Sequence, residues 1–81
     1  LKEILNQKIQ LIQKKIKEQP KIEITYFIPD SKKDGGRYET ICNTIQKIDM
    51  YTNEFVMIDG TRIDIDDIID IQGNLFQKIS F

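Results

Sequence analysis

The chain is predicted to adopt a mainly-β (α+β) fold: an N-terminal α-helix, then five short antiparallel strands curled into a small, strongly bent barrel. Three observations predict it. Apolar residues recur with a period near 3.6 over positions 1–18, the period changes to two from Lys21, and turn residues then punctuate the chain at short intervals. An open sheet of five strands would leave long edges, so closure is expected.

Leu1, Leu5, Ile9, Ile12 and Ile16 follow one another at spacings of four, four, three and four, which marks one stripe of a helix over 1–18. Ile4 and Leu11 widen that stripe, and Pro20 disfavours helical backbone at Gln19, ending it. In the first strand, Ile22, Ile24, Tyr26 and Ile28 alternate with Glu23, Thr25 and Phe27. PDSKKDGG, residues 29–36, is loop chemistry. The second strand covers about 37–48, and the uneven spacing of Tyr38, Ile41, Ile45 and Ile48 places a bend or bulge near Cys42–Asn43. A turn at 49–53 leads to a third strand at 54–58. Asp59-Gly60 then signals a two-residue hairpin. The fourth strand is 61–65, Asp66-Asp67 turns the chain, and the fifth strand is 68–72. Residues 1–81 thus form one domain: helix 1–18, barrel 21–72 and an apolar tail 73–81.

Composition restricts the chemistry. Twelve Lys and Arg stand against 13 Asp and Glu, a net charge of -1 that excludes the strongly basic footprint of a nonspecific nucleic-acid binder. The charge is uneven, with nine basic and six acidic residues in 1–40 but three and seven in 41–81. There is no His, and Cys42 is the single cysteine. A disulfide framework, a Cys/His zinc site and His-based acid–base catalysis are therefore excluded. No apolar run approaches the roughly 20 residues that span a bilayer, and no signal peptide is visible. A cytoplasmic domain without membrane contact is expected, where the reducing medium suits a lone thiol. Residue 1 is Leu, so a native start upstream is expected.

No catalytic constellation emerges. Asp64, Asp66, Asp67 and Asp70 supply hard oxygen ligands of the kind Mg²⁺ or Ca²⁺ takes. Asp64 and Asp66 alternate with Ile63 and Ile65, however, as a strand's wet face does, and the EF-hand spacing is missing. Ser31 and Ser80 are the only serines and have no base beside them; Cys42 has no His partner and is expected to be a small core or half-buried residue. Gly35-Gly36 leads into a strand and not a helix, which is not a P-loop. The expectation is a protein that is not an enzyme, with no catalytic residue, cofactor or metal. One basic and aromatic interleaving exists, Lys32, Lys33 and Arg37 beside Tyr26, Phe27 and Tyr38. Such a patch stacks single-stranded bases, although Asp30 and Asp34 oppose it here.

The segments IEITYF, DGGRYETI, TIQKID and DGTRIDIDDIIDI, within residues 22–71, resemble the YolD-like family of small bacterial proteins. The resemblance implies an accessory of an error-prone translesion DNA polymerase, acting in the DNA damage response. An upstream Trp and Leu-Pro pair usual in that family is not present. TIQKIDMYTNEFVMID resembles the first signature of Sm-like proteins, with Asp49 and Asn53 at its two polar positions. That likeness implies an Sm-like/SH3-like barrel and a base-reading turn, while Asp66-Asp67, at the place of the usual Arg-Gly pair, would repel phosphates. QGNLF, residues 72–76, resembles the short peptide by which bacterial polymerases dock on the sliding clamp; the favoured alternative is that Leu75, Phe76, Ile79 and Phe81 fold back on the barrel or cover an edge strand.

The resulting expectation is a noncatalytic adaptor whose partner is a protein, with a translesion polymerase or its sliding clamp nominated. Gln72, Leu75, Phe76 and Phe81 are the candidate partner contacts, and edge-to-edge pairing into a homo-oligomer is a further candidate. The alternative is an Sm-like single-stranded nucleic-acid module using Lys32, Lys33, Arg37, Asp49 and Asn53.

Overall fold

A computed structural model describes residues 2–32 and 34–77. Helix α1 (Lys2–Lys14) passes through a 3₁₀ turn, Ile16–Glu18, into strands β1 (Lys21–Pro29) and β2 (Gly36–Asp49). Strands β3 (Glu54–Met57) and β4 (Arg62–Asp64), a 3₁₀ turn at Ile65–Asp67, strand β5 (Ile68–Gln72) and a 3₁₀ turn at Asn74–Phe76 complete the order. The α-helix is shorter than the 1–18 stripe predicts. The Lys15 N–H is shared between the Leu11 and Ile12 carbonyls, both at 3.1 Å, which tightens the last turn. Gln19 then takes a left-handed φ of 48° ahead of Pro20.

Every strand pair is antiparallel, in the spatial order β4-β3-β2-β1-β5. Ile22 and Ile24 from β1, Ile45 from β2, Phe55 and Met57 from β3, Ile63 from β4, and Ile68 and Ile71 from β5 form one buried cluster. Ile12 from α1 and Phe76 from the last turn complete it. Each such side chain contributes about 1.5–3 kcal/mol by leaving water. Val56, which lies between Phe55 and Met57 on β3, is also buried, with Lys47 and Arg62 as its cross-strand neighbours in register.

The bulge in β2 lies later than predicted. Pairing with β1 runs unbroken past Cys42 and Asn43, and the shift falls between Ile45 and Lys47 against β3, leaving Gln46 as the extra residue. It switches the inward positions from odd to even, which lets Ile45 and Ile48 both face the core despite a spacing of three. A second shift in the β1–β5 pairing leaves Ile69 unpaired, with its side chain 52% exposed. The Asp59-Gly60 turn holds three residues and not two. The Met57 N–H donates to the Thr61 carbonyl at 2.8 Å around Ile58, Asp59 and Gly60, and Gly60 takes φ +92°.

The expected Sm-like/SH3-like barrel is not formed. Strands β4 and β5 sit at opposite ends of the sheet with no ladder between them among the described residues, so the sheet is open and not strongly curled. Closure was expected in order to remove long edges, but both outer strands are short. β4 has three residues, because Asp64 caps a 3₁₀ turn by accepting the Asp66 N–H at 2.9 Å and takes Ile65 out of the strand. β5 has five, and α1 covers part of its edge. Lys8, 9% exposed, donates from Nζ to the Ile71 carbonyl at 2.7 Å, lies 3.5 Å from the Asp70 carboxylate and sits 5.3 Å from the Phe76 ring centre. A lysine over an outer strand is one means of protecting it from stray pairing.

Candidate interaction surface

The longest unprotected edge among the described residues lies within β2, not at the rim of the sheet. β1 pairs with β2 from Lys21↔Thr44 to Pro29↔Gly36, but β3 joins β2 only from Ile45 onward. The phase of the ladder follows from three backbone bonds. The Asp30 N–H donates to the Gly35 carbonyl (3.0 Å) and the Ile45 N–H to the Pro20 carbonyl (3.1 Å), so odd-numbered residues of this stretch direct their backbone groups at β1. The Thr44 carbonyl, accepting from the Ile58 N–H at 2.9 Å, faces the other way. Gly36, Tyr38, Thr40 and Cys42 therefore aim both N–H and C=O away from β1, and among the described residues no strand meets them. Pro29 fits the same phase, since it stands at a position whose nitrogen points away from β2.

Residues 36–40 are exposed on both faces of the sheet. Together with the end of β1 they form a hairpin arm reaching past the core, on a molecule 40 Å long and 27 by 22 Å across. Cross-strand pairs hold the arm. Phe27 and Tyr38 meet edge to face at 5.4 Å, the Thr25 and Thr40 hydroxyls lie 2.9 Å apart, and the Tyr26 hydroxyl donates to Glu39 at 3.3 Å. Desolvation, followed by the Glu39 charge, raises the Tyr26 pKa above the usual phenol value. At the tip the Asp30 carboxylate accepts the Lys32 N–H at 2.9 Å, and Gly35 takes φ +99°. Gly36 is required by space: a Cβ there would stand 2.6 Å from Cζ of Phe27 and closer still to the Ile28 carbonyl oxygen. An open cavity of about 310 Å³ lies beneath the tip, lined by Ile28, Pro29, Asp30, Ser31, Gly36 and Arg37.

Comparison with protein-family models, with curated proteins and with solved structures finds no match.

The residues singled out from sequence fall in three places. Gln72 ends β5, exposed, with its amide donating to Asp70 at 2.8 Å. Leu75 is half-buried against the core and Phe76 is 7% exposed within it, held under Lys8. The 72–76 segment thus presents Gln72 outward while its apolar pair faces inward, and Phe81 lies outside the described residues. Lys32 and Arg37 belong to the hairpin tip, and Lys33 is also outside the described residues. Asp49 and Asn53 bound the β2–β3 turn at the far end of the fourteen-residue β2. The basic loop and the Asp–Asn turn are therefore not brought together into one nucleic-acid surface.

Asp49 and Asn53 have structural work in that turn. The Asp49 carboxylate accepts the Tyr51 N–H at 3.0 Å and the Thr52 N–H at 3.2 Å, and lies 3.3 Å from the Arg62 guanidinium. Arg62 also meets Glu54 at 2.9 Å. Asn53 tolerates the left-handed φ of 60° at the turn's end, and its carbonyl accepts the Ile65 N–H at 3.0 Å. The Thr52 backbone bond, with help from Arg62 and Tyr51, lowers the Asp49 pKa below the usual carboxylate range. The sign follows: the carboxylate's contribution is present above the unfolded value of about 3.9 and is lost as pH falls through the folded value. In an NMR titration, Arg62→Gln is expected to raise the Asp49 midpoint only part of the way to that ordinary value. A full return would contradict the leading role of the Thr52 amide.

Other expectations are corrected by position. Cys42, expected in the core or half-buried, is exposed on the outer face opposite Glu23. Of the late aspartates, Asp64 caps a 3₁₀ turn, so that Asp66 belongs to that turn and not to a strand's wet face, and Asp70 lies between Lys8 and Gln72. Sequence reasoning misses Lys8. The place of Lys8 between Leu5 and Ile12, at spacings of three and four, is the available signal.

Proposed function

We propose that this chain is a noncatalytic adaptor that binds protein by strand addition to the free edge of β2. The observation that supports the reading is the run of outward-facing backbone groups at Gly36, Tyr38, Thr40 and Cys42 on an exposed arm. An extended segment laid there satisfies its own backbone and that of β2 in one ladder, and Tyr38 beside Phe27 offers an aromatic contact next to it. Nucleophile–base pairs of catalytic geometry form no part of the reading. No helix among the described residues is long and apolar enough to cross a membrane, and the adaptor is placed in the cytoplasm as part of the same proposal.

The likeness of residues 22–71 to the YolD-like family nominates a translesion polymerase, or the sliding clamp it works on, as the partner to test first. Binding of each purified protein to the wild-type chain and to Thr40→Pro is the direct experiment. Complex formation by the wild type and its loss in the variant is expected. Equal binding by both would remove the β2 edge as the contact. The same titration with a single-stranded oligonucleotide separates the competing class, because phosphate-driven binding falls steeply with salt.

A further inference from the structure

We infer that the free edge of β2 pairs with the same edge of a second copy, antiparallel about a twofold axis at Tyr38. The inference rests on the reading of β2 as a contact edge and specifies its occupant. A twofold antiparallel pairing must set outward-facing residues opposite one another, and here those are the even-numbered ones. Charge then selects the register. An axis at Tyr38 sets Arg37 of each copy opposite Glu39 of the other, twice by symmetry, as a non-hydrogen-bonded pair whose Cβ atoms stand about 4.5–5.5 Å apart. Moving the axis by one residue sets Arg37 against Arg37 or Glu39 against Glu39, so like charges meet. An axis at Thr40 pairs neither charge with its opposite and requires the Thr44 carbonyl, already taken by Ile58.

The chosen register uses only residues 36–40, all exposed. Gly36 exchanges backbone bonds with Thr40 of the second copy, Tyr38 with Tyr38, and Thr40 with Gly36. On one face, the Phe27–Tyr38 contact continues across the axis into the second copy's Tyr38 and Phe27, a row of four rings. On the other, Glu39 keeps its partner Tyr26 and gains Arg37 of the second copy. A stretch of exposed edge carrying both charge signs resists arbitrary pairing, and this one is complementary to itself in a single register.

Sedimentation of the wild type, of Arg37→Glu, of Glu39→Arg and of an equimolar mixture of the two variants tests the pairing. Concentration-dependent dimers are expected for the wild type, with association roughly ten- to thirtyfold weaker in each variant alone, where two attractive pairs become repulsive. The mixture is expected to recover near-wild-type association. One variant is acidic at both positions 37 and 39 and the other is basic at both, so the mixed pair again sets opposite charges against each other at both contacts. Recovery also demonstrates that both variants fold. A wild type that stays monomeric at all concentrations, variants that dimerise as well as the wild type, or a mixture that does not recover would each overturn the inference. If the wild type is monomeric while Thr40→Pro still abolishes a heterologous complex, only self-pairing fails and the adaptor reading stands.

Discussion

Replacing Phe55 by Ala is expected to lower the unfolding free energy by about 3–5 kcal/mol. The ring comes from β3 at the middle of the order β4-β3-β2, is fully buried, and belongs to the cluster to which α1 and every strand contribute. Its removal forfeits the transfer energy of the largest fully buried side chain and leaves a cavity that neighbouring isoleucines, stiff at χ1, fill poorly. The loss is large against the whole stability, since domains carry roughly 0.05–0.15 kcal/mol per residue. Urea unfolding measures it as a fall in midpoint at unchanged slope. A loss below about 1 kcal/mol would mean that Phe55 does not lie at the centre of the core.

Thr40→Pro is expected to have the largest effect on partner binding while leaving the fold nearly intact. The separation depends on the phase of the ladder. The Thr40 N–H points away from β1, so proline removes a donor that the isolated domain does not use, and the extended backbone at Glu39 suits the residue before a proline. The variant loses the Thr25–Thr40 hydroxyl bond, at a cost of about 0.5–1.5 kcal/mol. A strand docked on the edge loses a central backbone bond and meets the ring, and binding should fall by at least tenfold. Glu39→Pro is the matched control. It removes an N–H that bonds to β1 and should unfold the arm. If the two variants destabilise the domain equally, the assigned phase is wrong.

Much of the fold was legible because it is local. The stripe through Leu5, Ile9 and Ile12 marks α1, β5 occupies the expected 68–72, and the strand-to-turn changes at Pro29 and Asp59-Gly60 fall close to their predicted places. The bulge was misplaced because Ile41 and Ile45 keep the same parity. Of the two steps that reverse it, Tyr38 to Ile41 only sets Tyr38 on the outer face, and the bulge lies in the other, Ile45 to Ile48, which contains Gln46. Closure was not legible. It depends on how far β4 and β5 extend, and β4 is cut short by a cap at Asp64 inside a segment that alternates as a strand should. The free edge was not legible either, because no residue of GRYETICN reveals that β3 begins pairing only at Ile45. The tail was expected either to meet a partner or to fold back, and within its described part, which ends at Gln77, Leu75 and Phe76 pack with the core.

Amide hydrogen exchange along β2, read residue by residue by NMR in dilute solution, tests the free edge most directly. Protection should alternate. The N–H groups of Arg37, Glu39, Ile41 and Asn43, bonded to β1, should exchange slowly, while those of Tyr38, Thr40 and Cys42 exchange fast. Raising the concentration should slow Tyr38 and Thr40 but not Cys42. Uniform protection of all seven in the dilute protein would mean that a strand already covers this edge, and would contradict the account.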